Sequence, residues 1–384
     1  MKLTMSAKSL SAGLKAVTPA VATRSGLPIL SGVRLEASED GLAIEATDLE
    51  LTARRTVSDV ATQTGGVVVV PAKALAKAAA SMSEPEVELE STPNEERATL
   101  HVRAGTRTLT LQGWAGEDWP AIPRLSEIAT VASVDAAAAA EALTRAAACA
   151  SDDEARPVLG AVALFFGEDP PCVDVVATDS YRLGAVRVPL ASAPRVPESP
   201  LLVPARACRV LARQLKGIRG ALEIRALQAP AERGLGTDYV GFAVAEGSWT
   251  IRQVDGEFPN WRQVMPEPTG GLLEFDPDEL ASALRAATSV RGAVGAPVRL
   301  TLGDACSLTV REPDLGEMRE VLPGASFVPN GELPIQVAFN PGYLADAVAF
   351  CGADRGRMWV RDGLKPVLFE GPDRRHALMP VRIP

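Results

Sequence analysis

Three tandem copies of one α+β domain, each with two helices and antiparallel sheets, are what this 384-residue sequence predicts. Three observations carry the prediction. Distinctive phrases recur in one order at a spacing of roughly 130 residues. Apolar residues repeat every three to four positions where helices are expected, and they alternate with polar residues where strands are expected.

The first phrase is Ala-Thr-Asp, in IEATDLELTARRTV at 44–57 and again in VVATDSYRLGAVRVP at 175–189. The second runs VVVVPAKALAKAAA from Val67 and LLVPARACRVLARQL from Leu201. The third is GEDWPAIP at 116–123 and GEFPNWRQVMP at 256–266. A more diverged copy follows. LLEFDPDELASALRAA at 272–287 resembles VDAAAAAEALTRAAACA at 134–150, and IQVAFNPGYLADAVAF at 335–350 resembles the Val-Pro-Ala-Lys phrase, with Asn340 in place of Pro71. Its Thr-Asp phrase has decayed. A repeat of this length is a domain rather than a solenoid unit, which divides the chain into 1–125, 126–268 and 269–384.

Within a copy the elements follow in order. Leu10, Leu14 and Val17 place a helix over 6–17, as Leu280, Leu284 and Ala287 do in the third copy. Val33, Leu35 and Ala37, then Leu42, Ile44 and Ala46, alternate around Glu39-Asp40-Gly41 and predict a hairpin. A short helix over 72–82 opens beside Pro71, and its counterpart covers 205–219. Alternating strand closes the copy, as at 98–114. In this reading Thr47-Asp48 closes a β-turn and nothing more.

The formal net charge is −9, with 39 basic and 48 acidic residues, which argues against bulk nucleic-acid binding over the whole surface. Its distribution changes that conclusion. The helices over 6–17, 72–82 and 205–219 carry Lys8, Lys15, Lys73, Lys77, Arg206, Arg209, Arg213, Lys216 and Arg219, and no acidic residue. In the third of them, steps of three and four residues align Arg206, Arg209, Arg213 and Lys216 in one stripe, away from Val210, Leu211 and Leu215. The ordinary meaning of a charge run is a solvated face. A positive face concentrated on an acidic chain points instead to an anionic partner met on one side. Without aromatic residues on these helices, a duplex backbone fits better than stacked single-stranded bases.

Other chemistry is sparse. The two histidines, His101 and His376, are far apart, and the five cysteines have neither metal-ligand nor disulfide spacing, so they are expected as reduced core thiols in a cytoplasmic protein. No phosphate loop or nucleophile elbow occurs. The glycines of ERGLGTD at 232–238 read as a loop, and the carboxylates of SDDEA at 151–155 as a solvated turn rather than a metal site. No acid, base and nucleophile assemble, no apolar stretch reaches membrane length, and neither a metal nor a cofactor is expected.

Several motifs are specific enough to carry a family resemblance. LPIL at 27–30, ATDLE at 46–50, ATDSYRL at 177–183, DGEFPNWRQVMP at 255–266 and ALMPVRIP at 377–384 resemble, over essentially the whole chain, the bacterial sliding clamps, the β subunits of DNA polymerase III. The resemblance implies two chains closed head to tail into a ring, with helices lining the hole and sheets outside. Duplex DNA would pass through, held by electrostatics without sequence readout, and no catalysis would occur. Arg24 joins the nine basic residues as DNA-facing on this basis. The resemblance further implies a groove for linear peptides of the Gln-x-x-Leu-Phe kind from polymerases and the clamp loader. Matched by position, the groove contains Leu159, Thr178, Ser180, Tyr181, Arg182, Leu183, Pro259, Val264, Tyr343, Leu378, Met379, Pro380, Val381 and Arg382. Leu183, Val264 and Met379 would form its apolar floor. The first copy lacks the Tyr-Arg pair, so one groove per chain is expected.

The chain departs from the family pattern in places. Ser180 stands where glycine is common, Gln263 where arginine is common, and Pro384 extends the terminus. Asp152 and Asp153 replace uncharged or basic groups, so that loop is not expected to touch DNA. Thr288 and Ser289 replace larger apolar residues near the subunit interface, which predicts weaker ring closure. Two further readings are a duplicated clamp specialised for tolerance to a groove-binding compound, and an enzyme on a repeated α+β scaffold.

Overall fold

The computed structural model describes residues 1–93, 97–125, 128–227, 239–290, 296–352 and 355–382. The 232–238 loop, Ile383 and Pro384 lie outside the described residues. Seven α-helices are present among these residues: α1 (Ala7–Val17), α2 (Ala72–Ala80), α3 (Ala136–Ala147), α4 (Ala205–Leu215), α5 (Trp261–Val264), α6 (Pro277–Ala287) and α7 (Pro341–Cys351).

Six of the helices form three equivalent pairs. The strands Lys2–Ser6, Ala129–Asp135 and Gly271–Phe275 lead into α1, α3 and α6, and the strands Gly66–Pro71, Leu201–Pro204 and Ile335–Phe339 lead into α2, α4 and α7. The tandem α+β repeat therefore extends into the third stretch of chain, where the sequence signal is weakest. Asn340 shows why the fold tolerates that divergence. It caps α7, its side chain accepting hydrogen bonds from the backbone N–H groups of Gly342 (2.9 Å) and Tyr343 (3.3 Å), at the position that Pro71 occupies before α2. Two expected C-terminal boundaries move, that of the helix over 72–82 to Ala80. The helix over 205–219 ends at Leu215, because Gly217 turns left-handed (φ +86°) and the Ile218 N–H closes onto the Leu215 carbonyl at 2.9 Å. Lys216 and Arg219 lie beyond its end.

Two compact units form. The first comprises Met1–Ala139, Leu190–Pro197 and Val210–Gln253, and the second Ala140–Pro189, Glu198–Arg209 and Val254–Pro384. The first holds one antiparallel sheet of 13 strands, in which Gly247–Arg252 pairs with Leu51–Val57 (Trp249 opposite Ala53, Ile251 opposite Leu51). The second holds a sheet of nine strands and one of four. In the nine-stranded sheet Arg182–Pro189 pairs with Arg374–Leu378, Arg182 opposite Leu378 and Leu183 opposite Ala377. Each large sheet thus runs from one repeat into the next by main-chain pairing.

The predicted hairpin forms between Gly32–Ser38 and Gly41–Thr47, with Ser38 opposite Gly41. Its alternating residues Val33, Leu35, Leu42, Ile44 and Ala46 are fully buried. Gly41 has φ +121°, and a Cβ there would come within 2.2 Å of the Val57 carbonyl oxygen. Neither the angle nor the clash suits an L side chain. Gly41→Ala is accordingly expected to destabilise the protein by more than about 1 kcal/mol, read as a lowered urea midpoint. An unchanged midpoint would show that the turn relaxes at no cost.

In the second unit, α6 and α7 bury Leu280, Leu284, Leu344 and Val348 against Leu300, Leu308, Val310 and Phe339 of the four-stranded sheet. Phe275 and Phe369 meet edge-on in the same core, their centroids 6.3 Å apart. All five cysteines are free and buried, and burial raises the Cys149 thiol to about 12 and the Cys351 thiol to about 11.

Candidate functional site: the Thr-Asp turns and the basic helix faces

The recurring phrase builds the same turn twice. In the first copy Asp48 Oδ1 accepts from the N–H groups of Glu50 (3.1 Å) and Leu51 (2.8 Å), and the Thr47 hydroxyl accepts from the Leu49 N–H at 3.0 Å. In the second, Asp179 Oδ1 accepts from Tyr181 and Arg182 (both 2.9 Å), and the Thr178 hydroxyl accepts from the Ser180 N–H at 3.2 Å. Both turns force their third residue left-handed, Leu49 at φ +76° and Ser180 at φ +77°. That geometry explains why glycine suits the position.

The second turn is elaborated by its neighbours. Arg182 Nε donates to Asp179 Oδ2 at 3.0 Å, its Nη1 donates to Asp346, and its guanidinium lies 4.3 Å from the centre of the Tyr343 ring. Burial works against this charge, but the bond to Asp346 and the field of Asp179 more than offset it, so the Arg182 pKa is raised. Tyr181 stacks on Tyr343, with centroids 6.4 Å apart and planes inclined by 29°. The C-terminal segment is sutured alongside. The Met379 N–H donates to the Tyr181 carbonyl at 2.9 Å and the Val381 N–H to that of Ala338 at 2.8 Å. Tyr181, Arg182, Tyr343 and Met379, brought together in the sequence by resemblance alone, are therefore neighbours.

The remaining groove residues fall into two groups. Tyr181, Val264 and Met379 are exposed large apolar side chains, at 60%, 61% and 42%. Pro259 and Arg382 are exposed as well, while Leu159, Tyr343, Pro380 and Val381 are half-buried. Arg156 links the Leu159 segment to the turn, accepting the Leu159 N–H on its carbonyl (3.0 Å) and donating from Nη1 to the Ser180 hydroxyl (3.2 Å). Leu183 and Leu378 need correction as contact residues. Leu378 has no exposed surface and belongs to the core under α7, and Leu183 is 4% exposed among Phe258, Trp261 and Met265. Of the three residues expected at the floor, Val264 and Met379 keep exposed surface. Thr178 is likewise buried, its hydroxyl donating to the Arg182 carbonyl at 2.7 Å. Sequence reasoning missed Asp346, which sits one helical turn after Tyr343 on α7.

The basic residues Lys8, Lys15, Arg24, Lys73, Lys77, Arg206, Arg209, Arg213, Lys216 and Arg219 are all exposed. In α1, Leu10, Leu14 and Val17 face the core, and in α2 Leu75 and Ala79 do so, which leaves the lysines on the opposite sides. In α4, Val210, Leu211 and Leu215 are buried while the arginine stripe is not. Arg209 of the stripe donates to the Ala147 carbonyl at 2.9 Å and lies 3.8 Å from Asp152, which is itself 92% exposed. Asp153 turns inward on its own loop, accepting from the Ala155 N–H and from Arg156.

Repeated strand-helix pairs, sheets continuous between repeats and exposed basic helix faces make this a tandem-domain clamp by fold. Comparison with known proteins agrees. A family model for the N-terminal domain of the DNA polymerase III beta subunit matches residues 1–123, and one for its central domain matches residues 133–260. The beta sliding clamp of Synechococcus elongatus is 28% identical over 392 residues, covering all of both chains. Among solved structures, the sliding clamp of Bacillus subtilis superposes with a TM-score of 0.89 at 19% identity, and the Bartonella birtlesii clamp bound to griselimycin with 0.87 at 23%, each over both complete chains. The chain belongs to the DNA polymerase III beta subunit family, the sliding clamps.

Proposed function

We propose that two copies of this chain close head to tail into a ring that encircles duplex DNA without sequence readout and tethers the replicative polymerase and clamp loader through linear peptides. It works as a non-catalytic processivity subunit in the cytoplasm. Family membership sets the class. The observation that carries the mechanism is charge segregation: on a chain of formal net charge −9, α1, α2 and α4 expose lysines and arginines and no carboxylate. Phosphates attract such faces through water, which lets a ring slide. Met379, Val264 and the stacked Tyr181 and Tyr343 are the proposed seat of the peptide's apolar end. The division into domains at 1–125, 126–268 and 269–384 belongs to the same proposal.

Strand edges support closure. Arg107–Gly113 pairs with Ala98–Ala104, but on the strand's other side only Trp114 and Ala115 are paired among the described residues. Gly316–Val321 ends the four-stranded sheet. One such edge near each end of the chain is what a head-to-tail ring needs. Thr288 and Ser289 return their hydroxyls to the carbonyls of Arg285 (2.6 Å) and Ala286 (2.7 Å), so they bring little polar cost to an interface.

A clamp loader is expected to place the protein on nicked circular DNA, and linearising that DNA should release it; equal retention on both forms would overturn the ring. The combined variant Arg206→Gln, Arg209→Gln, Arg213→Gln and Lys216→Gln should fold and flatten the slope of log affinity against log salt by about three, since each lost phosphate contact removes about 0.9 and Arg209 is partly engaged elsewhere. An unchanged slope would place these residues away from DNA.

A further inference from the structure

We propose that the solvent-facing side of the four-stranded sheet in the second unit is a docking surface for an acidic segment of a partner protein, held by Arg299, Arg311 and Arg319. The strands are Val298–Leu302, Ser307–Glu312, Gly316–Val321 and Ile335–Phe339. Alternation sends Val298, Leu300, Leu308, Val310, Val337 and Phe339 into the core under α6 and α7. The intervening residues face outward. Register places Arg299, Thr309 and Arg319 in one row across three strands, with Arg311 opposite Glu317 in the adjacent row. All three arginines line one cavity of about 340 Å³, together with the hydroxyls of Thr301, Ser307 and Thr309.

Many arginines of this acidic chain are engaged: Arg54, Arg103, Arg182, Arg187, Arg262 and Arg374 each hold a carboxylate within 4 Å. Arg299, Arg311 and Arg319 hold none and make no hydrogen bond to the described residues. Three unpaired guanidinium groups converging on one concavity beside hydroxyl donors are a set of forks aimed at oxyanions. A continuous polyanion is disfavoured, because Glu317 lines the cavity and no aromatic ring among its lining residues is present to stack a base. Discrete carboxylates fit better. Arginines two strands apart are separated by about 9–10 Å, which carboxylates on nearby residues of an extended peptide can bridge. The surface lies on the opposite side of the sheet from α6 and α7.

The test is fluorescence anisotropy on the full chain with a labelled decapeptide of alternating Glu and Ser. Its Gln-Ser counterpart, a labelled single-stranded 20-mer and inorganic phosphate as competitor complete the set. The Glu-Ser peptide is expected to bind and the Gln-Ser peptide not to. The double variant Arg299→Gln, Arg319→Gln should weaken binding at least about tenfold. Glu317→Gln should tighten it, a change that a merely structural role would not produce, and Arg206→Gln should leave it unaltered. If the double variant melts early, Arg311→Gln with Arg319→Gln, both on exposed residues, gives the same reading. Equal binding of the two peptides, or unchanged binding by the variants, would overturn the proposal. So would retention of only the oligonucleotide or only phosphate at these arginines.

Discussion

Deleting residues 379–384 is expected to abolish binding of a polymerase-derived peptide while leaving the protein folded. The deletion removes the Met379 side chain, one of the two exposed apolar residues of the proposed floor, and frees Tyr181 from the backbone bond that holds the tail against it. Burying a large apolar side chain of the peptide contributes roughly 1.5–3 kcal/mol, so losing the wall it packs on weakens a micromolar peptide by roughly 10- to 150-fold, out of the range of the titration. The fold loses the two tail hydrogen bonds, of Met379 to Tyr181 and of Val381 to Ala338, each worth about 0.5–1.5 kcal/mol. Leu378, the last fully buried side chain of the strand, remains. Met379→Ala alone should weaken the peptide by more than about 1 kcal/mol if the residue is a hot spot, and removal of Pro384 alone by less. Titration of a fluorescent peptide with a Leu-Phe end checks all three variants. A 379–384 deletion that binds as tightly as the parent would place the peptide site elsewhere.

Acid should destabilise the protein through His376. Its ring is fully buried between Phe350 (centroids 5.1 Å apart) and Phe369 (6.2 Å), and neither ring nitrogen has a hydrogen-bond partner. Burial, reinforced by the Arg182 charge, lowers its pKa from 6.5 to about 3. The unfolded chain takes up the proton near pH 6.5, whereas the folded chain resists it until about 3. The stability that depends on a neutral ring is therefore complete above pH 6.5, and it declines as the pH falls toward 3 at about 1.4 kcal/mol per pH unit. His376→Phe should remove this component of the acid slope, leaving that of the carboxylates. It should also stabilise the protein at neutral pH by about 1–2 kcal/mol, because two unpartnered polar atoms leave the core. Urea melts between pH 4 and 8 on parent and variant make the comparison; parallel curves would show that the imidazole finds a proton acceptor or a water in the folded state.

Much of this protein is written locally. The Thr-Asp turn, the helix stripes of Leu10, Leu14 and Val17, the alternation around Gly41 and the arginine row of α4 all depend on residues within a few positions of one another, where side-chain hydrogen bonding, periodicity and backbone sterics act. A repeat multiplies these signals, so the three-copy architecture is legible in the amino-acid sequence alone. The end of α4 is less legible, because the positive φ of Gly217 competes with a charge pattern that continues to Arg219. What no local pattern contains is which strand edges meet. Pairing of Arg182–Pro189 with Arg374–Leu378 rests on backbone groups that every residue carries, and it alone sets Tyr181 beside Met379. The same pairing decides that Leu183 and Leu378 are core while Val264 and Met379 remain on the surface. Asp346 reaches Arg182 from a distant helix, and the pairing within the four-stranded sheet gathers three arginines, none in an ion pair among the described residues, into one cavity. Side-chain chemistry along the chain determined the elements and their repetition; the free energy of closing long loops and burying one face of each antiparallel sheet decided which of those side chains share a site.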